Sequence, residues 1–340
     1  MFNIIIPCQK PSVYLKECLE RITCLDYVDF EVIVLPDEYV ETQQCCVSTD
    51  IDFTKIKIVP TGSVLPGAKR NIGAHEAQGE ILAFIDDDAY PAKDWLKNAS
   101  RVFEDKNVIA LGGPGLTPSN DSFWQQVSGA MYLSWFSGAN PKRFWPLGQK
   151  HAVDDWPLMN FFVRRDDFLA IGGFDENYWP GEDTKLCLDL ITHFFISPLP
   201  RGRLSGGRII YDPSVIVYHH RRKNLAKHLK QAGQFGWQRG LFAKKFPANS
   251  RKIKYFLPSL FLLFALFGWL ALFLPQPLNL IYFLLWLIYF VSLIISFVQI
   301  YAKIKKIKIA LATLIYIPLT HFWYGWKFIK GLFANICFNA

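Results

Sequence analysis

Short apolar runs alternate with amphipathic segments along the first part of the chain. Runs of strand length lie at residues 2–6, 30–35, 57–59 and 81–85. Segments with the spacing of helices lie at residues 13–22, where Ser12 is the expected N-cap, and at residues 68–77. This alternation predicts an α/β fold with a mostly parallel central sheet.

Two long apolar stretches without any charge follow, at residues 256–274 and 278–302. Each is long enough to cross a bilayer, which needs about 20 residues. Only Pro275-Gln276-Pro277 separates them, so they are expected to form a transmembrane hairpin. A third stretch, residues 309–326, contains a proline and a histidine and can span the membrane, re-enter it or lie in the interface.

The charges divide the chain into an acidic and a basic part. Up to Asp212 there are 29 acidic and 20 basic residues, whereas the rest has 17 basic and no acidic residues. Because the apolar stretches lie in the basic part, anionic membrane lipids are a better partner for it than nucleic acid.

Basic residues flank the predicted hairpin on both outer sides. The positive-inside rule therefore predicts a multi-pass protein of the cell membrane whose soluble part is cytoplasmic. The first apolar run is too short for a signal peptide, and the seven cysteines lack the spacing of a zinc site, as expected in a reducing compartment.

Three adjacent acids, Asp86, Asp87 and Asp88, follow directly after the apolar run at residues 81–85. Open α/β sheets bind ligands at the carboxyl ends of their strands. Three carboxylates at such an edge repel one another. A divalent cation that chelates a diphosphate would remove the conflict, with Asp86 and Asp88 on one side of the extended chain. A solvated acidic turn is the alternative.

A series of short motifs extends from the first strand to a pair of histidines. In the first half they are Ile4-Ile5-Ile6-Pro7, Gly67-Ala68-Lys69-Arg70-Asn71-Ile72-Gly73, Ala77-Gln78-Gly79-Glu80 and Phe84-Ile85-Asp86-Asp87-Asp88. In the second half they are Arg164-Arg165, Gly172-Gly173-Phe174-Asp175-Glu176, Gly181-Glu182-Asp183-Thr184 and Tyr218-His219-His220-Arg221-Arg222. In this order they resemble the family 2 glycosyltransferases, which have the GT-A nucleotide-sugar-binding fold.

The resemblance implies a donor site and a metal site at particular positions. Asp86 and Asp88 would form the family's DxD element and bind Mg²⁺ or Mn²⁺, with His219 rather than His220 completing the metal shell. The residues implied for binding the nucleotide-sugar donor are Pro7, Asp37, Lys69, Arg70, Asn71, Asp86 and Asp87. Asp37 lies in Leu35-Pro36-Asp37-Glu38, where the family usually has Asp-Asp-Gly-Ser, so its contact with the base stays open. Gln9-Lys10 stands where the family commonly has an Asn, so the identity of the nucleotide stays open.

Inverting glycosyl transfer needs a base for the acceptor hydroxyl and a cation for the departing diphosphate. The local sequence leaves two possibilities for Glu182 and Asp183. They are held at a helix start where they face the donor, or they merely cap a helix at residues 184–191. The resemblance implies Asp183 as the general base and Glu182 as a residue that orients the acceptor or the loop.

Three regions are expected. A GT-A glycosyltransferase domain occupies residues 1–222, a basic interfacial segment residues 223–254 and a membrane domain residues 255–340. Within the second region, residues 224–246 predict one or two amphipathic helices on the membrane surface, or a helix that packs on the catalytic domain. The aromatic side chains concentrated at residues 123–156 can bind the acceptor, pack in the core or contact the membrane.

The leading function is a membrane-anchored, metal-dependent, inverting glycosyltransferase. It would move a sugar from a nucleotide-sugar donor to a lipid-linked or nascent glycan acceptor. One alternative is a polyprenyl-phosphate sugar synthase, whose phosphate acceptor needs no strong base. The other is a non-catalytic membrane scaffold with a degenerate transferase domain.

Overall fold

The computed structural model describes residues 1–40, 53–137, 140–196 and 207–334. The chain forms two compact units. The first comprises Met1–Leu116 and Trp145–His220, and the second comprises Thr117–Phe144 and Arg221–Ala340. Residues 117–144 therefore pack with the C-terminal helices, although the sequence analysis groups them with the preceding domain.

The first unit is built around two sheets. Its strands are β1 (Phe2–Pro7), β2 (Phe30–Leu35), β3 (Ile56–Ile58), β4 (Ile81–Phe84), β5 (Ala89–Pro91), β6 (Val108–Gly112), β7 (Gly115–Leu116), β8 (His151–Val153), β9 (Phe161–Arg164), β10 (Arg208–Tyr211) and β11 (Val217–His219). Within the described residues, the main sheet has the order β3-β2-β1-β4-β9-β6-β10-β8. Strands β3, β2, β1 and β4 pair in parallel, and β9 is antiparallel to both β4 and β6. The predicted mostly parallel α/β sheet is confirmed.

Helices cover the sheet and continue to the end of the described chain. They are α1 (Val13–Thr23), α2 (Pro66–Glu76), α3 (Trp95–Phe103), α4 (Phe123–Ala130), α5 (Arg165–Ala170), α6 (Glu182–Ile196), α7 (Leu225–Lys245), α8 (Pro247–Ser250), α9 (Ile253–Phe267), α10 (Leu278–Ile304) and α11 (Ile307–Phe333). Ser12 caps α1 as predicted, since its Oγ accepts a hydrogen bond of 3.0 Å from Leu15 N.

Strand β1 shows why the apolar runs form a central sheet. Its side chains are buried on both faces, with Ile4 and Ile6 in one hydrophobic cluster and Ile5 in the other. A strand covered on both faces reads as a continuous apolar run rather than an alternating one. The core therefore lies in two layers, above and below the strands.

The starts of two elements have local causes. Strand β11 begins at Val217, because the Asp212 carboxylate accepts hydrogen bonds from the backbone N and the Oγ of Ser214 and holds a turn before it. Helix α6 begins at Glu182, two residues before the predicted start, because Lys185 N donates to Gly181 O and closes an earlier turn.

The described cysteines of the first unit, Cys8, Cys18, Cys24 and Cys187, form no disulfide with one another. Cys45, Cys46 and Cys337 lie outside the described residues.

Within its described residues, the second unit contains three helical segments that are long and apolar enough to cross a membrane. They are Ile253–Phe273, which joins α9 to a 3₁₀ turn, Asn279–Ile304 in α10, and Ile307–Phe333 in α11. Residues 225–245 form the single helix α7, which packs along α11. The sequence predicts the membrane surface or the catalytic domain as the partner of this helix. The pattern does not indicate that the helix packs against α11.

The buried side chain of Asn160 joins several segments of the first unit through hydrogen bonds. It is fully buried, accepts a hydrogen bond of 2.9 Å from Trp95 Nε1, and donates to the carbonyls of Pro114 and Val215. Asn160→Ala would leave these buried groups unpaired. We expect it to lower the free energy of unfolding by roughly 2–4 kcal/mol.

Denaturant unfolding of the full chain in detergent, followed by tryptophan fluorescence, measures this change. Asn177→Ala is the matched control, because Asn177 is exposed and bonds only within its own loop to Asp175. A loss for Asn160→Ala no larger than that for Asn177→Ala would contradict the expectation.

Candidate active site

The acidic triplet forms the turn that joins the two sheets of the first unit. Strand β4 ends at Phe84, and Ala89 N donates to Asp86 O across the turn before β5 begins. The side chains of Asp86 and Asp88 are 29% and 22% exposed. Both carboxylates therefore lie at the carboxyl edge of the main sheet, within reach of a ligand.

Strand β11 brings a histidine to this turn. It pairs antiparallel with β5, and His219 stands opposite Ala89 in the register. His219 Nε2 lies 2.9 Å from Asp88 Oδ1. One possible ligand atom from each of Asp86, Asp88 and His219 lies within 4.8 Å of the other two.

The neighbouring histidine has a different environment. His220 Nε2 lies 3.0 Å from Glu17 Oε2, and its ring stacks on that of Tyr14 at 4.2 Å. Its backbone N donates to Asp88 O, which fixes the turn from behind. The geometry thus favours His219 over His220 as a metal ligand.

The three clustered residues fit a divalent cation. Carboxylate and imidazole groups suit Mn²⁺, and carboxylates suit Mg²⁺. Burial, followed by the charges of Asp88 and Asp86, raises the pKa of Asp87 from its ordinary value to about 7. A cation among these acids would offset that repulsion and favour their ionised forms.

Arg70 connects the acidic turn with α6. Its guanidinium donates to Asp86 Oδ1 at 2.8 Å and to Glu182 Oε1 at 3.2 Å. The side chain is 4% exposed, and within the described residues its Nε has no hydrogen-bond partner. Burial, more than any other influence, raises the pKa of Glu182, while the Arg70 charge lowers it. The Arg70 guanidinium thus links the acidic turn at Asp86 to Glu182 at the start of α6.

Lys69 is turned to the other side of α2 and is satisfied by the protein. Its Nζ donates to Cys8 O at 2.8 Å, to Leu35 O at 3.1 Å and to Asp37 Oδ1 at 2.5 Å. It therefore joins the carboxyl ends of β1 and β2 and fixes the Asp37 carboxylate beside them. Pro7, the last residue of β1, is buried next to this contact.

Asn71 holds the glycine-rich loop that precedes α6. Its Nδ2 donates to Phe174 O and to Glu176 Oε1, and its Oδ1 accepts from Phe174 N, all within 2.9 Å. A Cβ on Gly173 would lie 2.5 Å from Asn71 Oδ1, and the φ of +76° at Gly173 also disfavours a side chain. These contacts give Asn71 a structural role, and the donor contact that the resemblance implies for it stays a prediction.

Glu182 and Asp183 occupy the first turn of α6, where the helix dipole favours negative charge. Glu182 is buried and accepts from Gly181 N as well as from Arg70. Asp183 Oδ1 accepts from Thr184 N at 2.7 Å, so it also caps the helix. The two possibilities left open by the sequence are compatible, since a capping carboxylate is held rigidly beside Glu182.

Two acids near the site are not predicted by any motif in the sequence. Glu17 partners His220 from α1, and Asp155 accepts from Thr184 Oγ1 at 3.1 Å with 5% exposure. The sequence gives no local signal for Glu17, which is partly exposed and is not among the residues that α1 buries. Asp155 is adjacent to Trp156, which is buried and donates to Gly113 O.

The comparisons with known proteins concern this same region. Residues 3–168 match the model of Glycosyl transferase family 2. The chain carries a family 2 glycosyltransferase domain. Among solved structures, the mannosyltransferase of Pyrobaculum calidifontis in complex with GDP-Man and Mn²⁺ is similar, with 17% identity and a TM-score of 0.52. The similarity covers 98% of this chain and 87% of that one, which confirms the GT-A fold.

Two relatives with similar sequences are also glycosyltransferases by name. The pre-mycofactocin glycosyltransferase of Mycobacterium tuberculosis is 27% identical over 54% of this chain, which spans only 36% of that protein. An enzyme of Methanococcus voltae is 23% identical over 72% of this chain and 74% of its own length. It is named dolichyl N-acetyl-alpha-D-glucosaminyl phosphate 3-beta-D-2,3-diacetamido-2,3-dideoxy-beta-D-glucuronosyltransferase.

The aromatic stretch at residues 123–156 divides between the two units. Trp156 belongs to the core of the glycosyltransferase fold, whereas Phe123, Trp124 and Trp135 are exposed in the second unit. Core packing therefore explains only part of the stretch. An acceptor role for its exposed part stays a prediction.

The shared Arg70 gives a stability prediction for the family 2 domain. Arg70→Met would leave Glu182 and Asp86 without their cation, and we expect a loss of roughly 3 kcal/mol in the free energy of unfolding. Adding Glu182→Gln removes one of the stranded charges. The double variant should therefore be more stable than the sum of the two single changes implies.

Chemical unfolding of the wild type, both single variants and the double variant measures this coupling. The matched control is the cycle of Arg164→Met and Glu80→Gln, because Glu80 is 70% exposed and a surface pair contributes less. Additive effects in the Arg70 and Glu182 cycle would contradict the expectation.

Proposed function

We propose that this protein is a membrane-anchored, metal-dependent, inverting glycosyltransferase that transfers a sugar from a nucleotide-sugar donor to a lipid-linked or nascent glycan acceptor. The observation that carries the proposal is the cluster of Asp86, Asp88 and His219 at the carboxyl end of β4 in a family 2 domain. A degenerate, non-catalytic domain would not need these three possible metal ligands beside Arg70 and Glu182.

Asp86, Asp88 and His219 are the residues that would hold Mg²⁺ or Mn²⁺. The bound cation would supply charge neutralisation for the departing nucleoside diphosphate. Asp37, fixed by Lys69, lies at the end of β2 and would contact the nucleoside part of the donor. Arg70, whose two terminal nitrogens donate to Asp86 and Glu182, would set the position of the metal-binding carboxylate rather than bind phosphate alone.

Asp183 is our candidate for the general base. Glu182 is buried and paired with Arg70, whereas Asp183 is partly exposed in the first turn of the same helix. The hydrogen bond from Thr184 N fixes the orientation of its carboxylate. Because Glu182 and Asp86 bind the same guanidinium, Asp183 is connected to the metal-binding turn by contacts within the first unit. A carboxylate so placed would take the proton from an acceptor hydroxyl as the sugar is transferred.

A lipid-linked acceptor is supported by the membrane segments and by one relative. The Methanococcus voltae enzyme has a dolichyl phosphate derivative in its name. The segments at 253–273 and 279–304 would anchor the chain, and their basic flanks would keep the catalytic domain on the cytoplasmic side.

The metal ligands can be tested one at a time. Asp88→Asn and His219→Ala are expected to lower kcat/KM for sugar transfer at least about 100-fold, or about 2.7 kcal/mol, because each removes a ligand. Both should also weaken Mn²⁺ binding, measured from the signal of free Mn²⁺ by electron paramagnetic resonance. Chelation should abolish transfer, and Mn²⁺ or Mg²⁺ should restore it.

His220→Ala is the matched comparison for His219→Ala. Its side chain contacts Glu17 and Tyr14, and the backbone hydrogen bond to Asp88 survives the change. We expect Mn²⁺ binding close to that of the wild type. Equal loss of Mn²⁺ affinity in the two histidine variants would refute the assignment of His219.

Asp183→Asn separates the two enzymatic alternatives. A general base contributes about 10²–10⁴-fold to the rate, so transfer to a hydroxyl acceptor should fall by that factor while Mn²⁺ and donor binding persist. Transfer to a polyprenyl phosphate needs no strong base. Activity retained in Asp183→Asn with such an acceptor would favour the synthase, and no donor turnover by the wild type with any acceptor would favour the scaffold.

A further inference from the structure

Helix α7 lies directly against the second half of α11. A Cβ atom on Gly236 would lie 2.6 Å from the carbonyl oxygen of Tyr324. One on Gly240 would lie 2.1 Å from the carbonyl oxygen of Phe328. No other residue type fits at these two positions without moving a backbone, so the two helices form one closely packed pair.

His228 extends this contact toward the middle of α11. It is fully buried, with Nε2 3.1 Å from Thr320 Oγ1 and Nδ1 2.8 Å from Ser128 Oγ. Burial, and then the charge of Arg221, lower its pKa to about 4, so the ring is neutral near pH 7. A neutral imidazole therefore ties α7 to both α11 and α4.

The outer face of α7 is mostly polar, although Phe235 is also exposed there. Lys227, Lys230 and Gln234 are exposed and follow one another at the spacing of a helical turn. If α11 crossed the bilayer, α7 would have to enter the hydrocarbon beside it with these charges. Such charges are costly inside a membrane unless they pair or reach water.

One exposed stripe of α11 is apolar over the first half of the helix. Ile307, Leu311, Ile315 and Leu319 are each at least 38% exposed and recur every four residues. However, 39% of the most apolar part of α11 is buried within the protein, compared with 11% in each of the other two segments. Helix α11 thus has one side for lipid and one side for protein.

Tryptophan and lysine are paired near the end of α11. Lys327 Nζ lies 5.2 Å from the ring of Trp323, and Lys330 Nζ lies 5.1 Å from the ring of Trp326. Both rings are exposed. Amphipathic aromatic rings and long basic side chains prefer the headgroup level of a bilayer over its hydrocarbon centre.

We propose that α7 and α11 lie together in the plane of an anionic bilayer surface, and that α11 does not cross the membrane. The apolar stripe of α11 enters the acyl boundary, while the lysines of α7 stay at the headgroups and in water. The chain beyond Asp212 has 17 basic and no acidic residues, which selects anionic lipid as the partner. The inference rests on the proposed membrane anchoring and is independent of transferase activity.

The two ends of α11 provide the test. Single cysteines are placed at Lys305 and at Phe333 in the full chain, with the native cysteines replaced by alanine, and labelled with a membrane-impermeant maleimide in cells and in inverted vesicles. Both are expected to be labelled from one and the same side. A cysteine at Gln276, in the hairpin connector, is the control and should be labelled from the other side.

A spin label measures depth without relying on topology. At Ile315 the label should be shielded from a water-soluble nickel chelate in vesicles that contain anionic lipid, whereas at Lys230 it should be accessible. Replacing the anionic lipid by zwitterionic lipid should raise the accessibility at Ile315. Nickel accessibility at Ile315 equal to that at Lys230 would overturn the proposal.

The outcomes also separate this proposal from the anchoring on which it rests. Labelling of residues 305 and 333 from opposite sides, in a chain that resists extraction by carbonate, overturns the surface position of α11 alone. Release of the wild-type chain by carbonate overturns both the anchoring and this inference. Labelling of both ends from one side in a carbonate-resistant chain supports the proposal.

Discussion

The candidate site depends on how negative charge is compensated at the carboxyl edge of the main sheet. Asp86, Asp87 and Asp88 meet there, and the start of α6 adds the buried Glu182. Arg70, which lies in α2, neutralises part of this charge by pairing with both Asp86 and Glu182. Removing one member strands the others in a region of low dielectric. The remaining acids, with His219, have the ligand chemistry of a divalent-cation site.

The histidine pair shows how a short strand gives two adjacent side chains different surroundings. Strand β11 pairs with β5 immediately after the acidic turn, so its register sets the distance from His219 to Asp88. Side chains alternate along a strand, and His220 therefore meets Glu17 and Tyr14 instead. A shift of one residue would exchange the two rings. The small sheet is thus as important to the site as the large one.

The second unit meets two opposite requirements with neighbouring helices. Apolar side chains of α9 and α10 are exposed along most of their length, as expected for contact with lipid. Helix α7 is charged, yet it packs on α11 through Gly236 and Gly240 with no space between the backbones. Small residues allow such close approach where side-chain packing alone could not. The basic residues beside these helices then match an anionic surface.

The sequence by itself determined the class of fold, the order of the motifs and the membrane segments. The apolar runs of β1 and α10 are local signals of burial, and the turn at Asp86-Asp87-Asp88 is a local signal of chain reversal. It also favoured His219. Only the tertiary structure decided that Arg70 pairs with both Asp86 and Glu182 and that Lys69 donates to Asp37 and to two backbone carbonyls. It also decided that α7 packs on α11. These contacts link residues that are far apart in the chain. The periodicity of a short segment does not indicate which distant residue will pair with a buried charge or pack against a glycine.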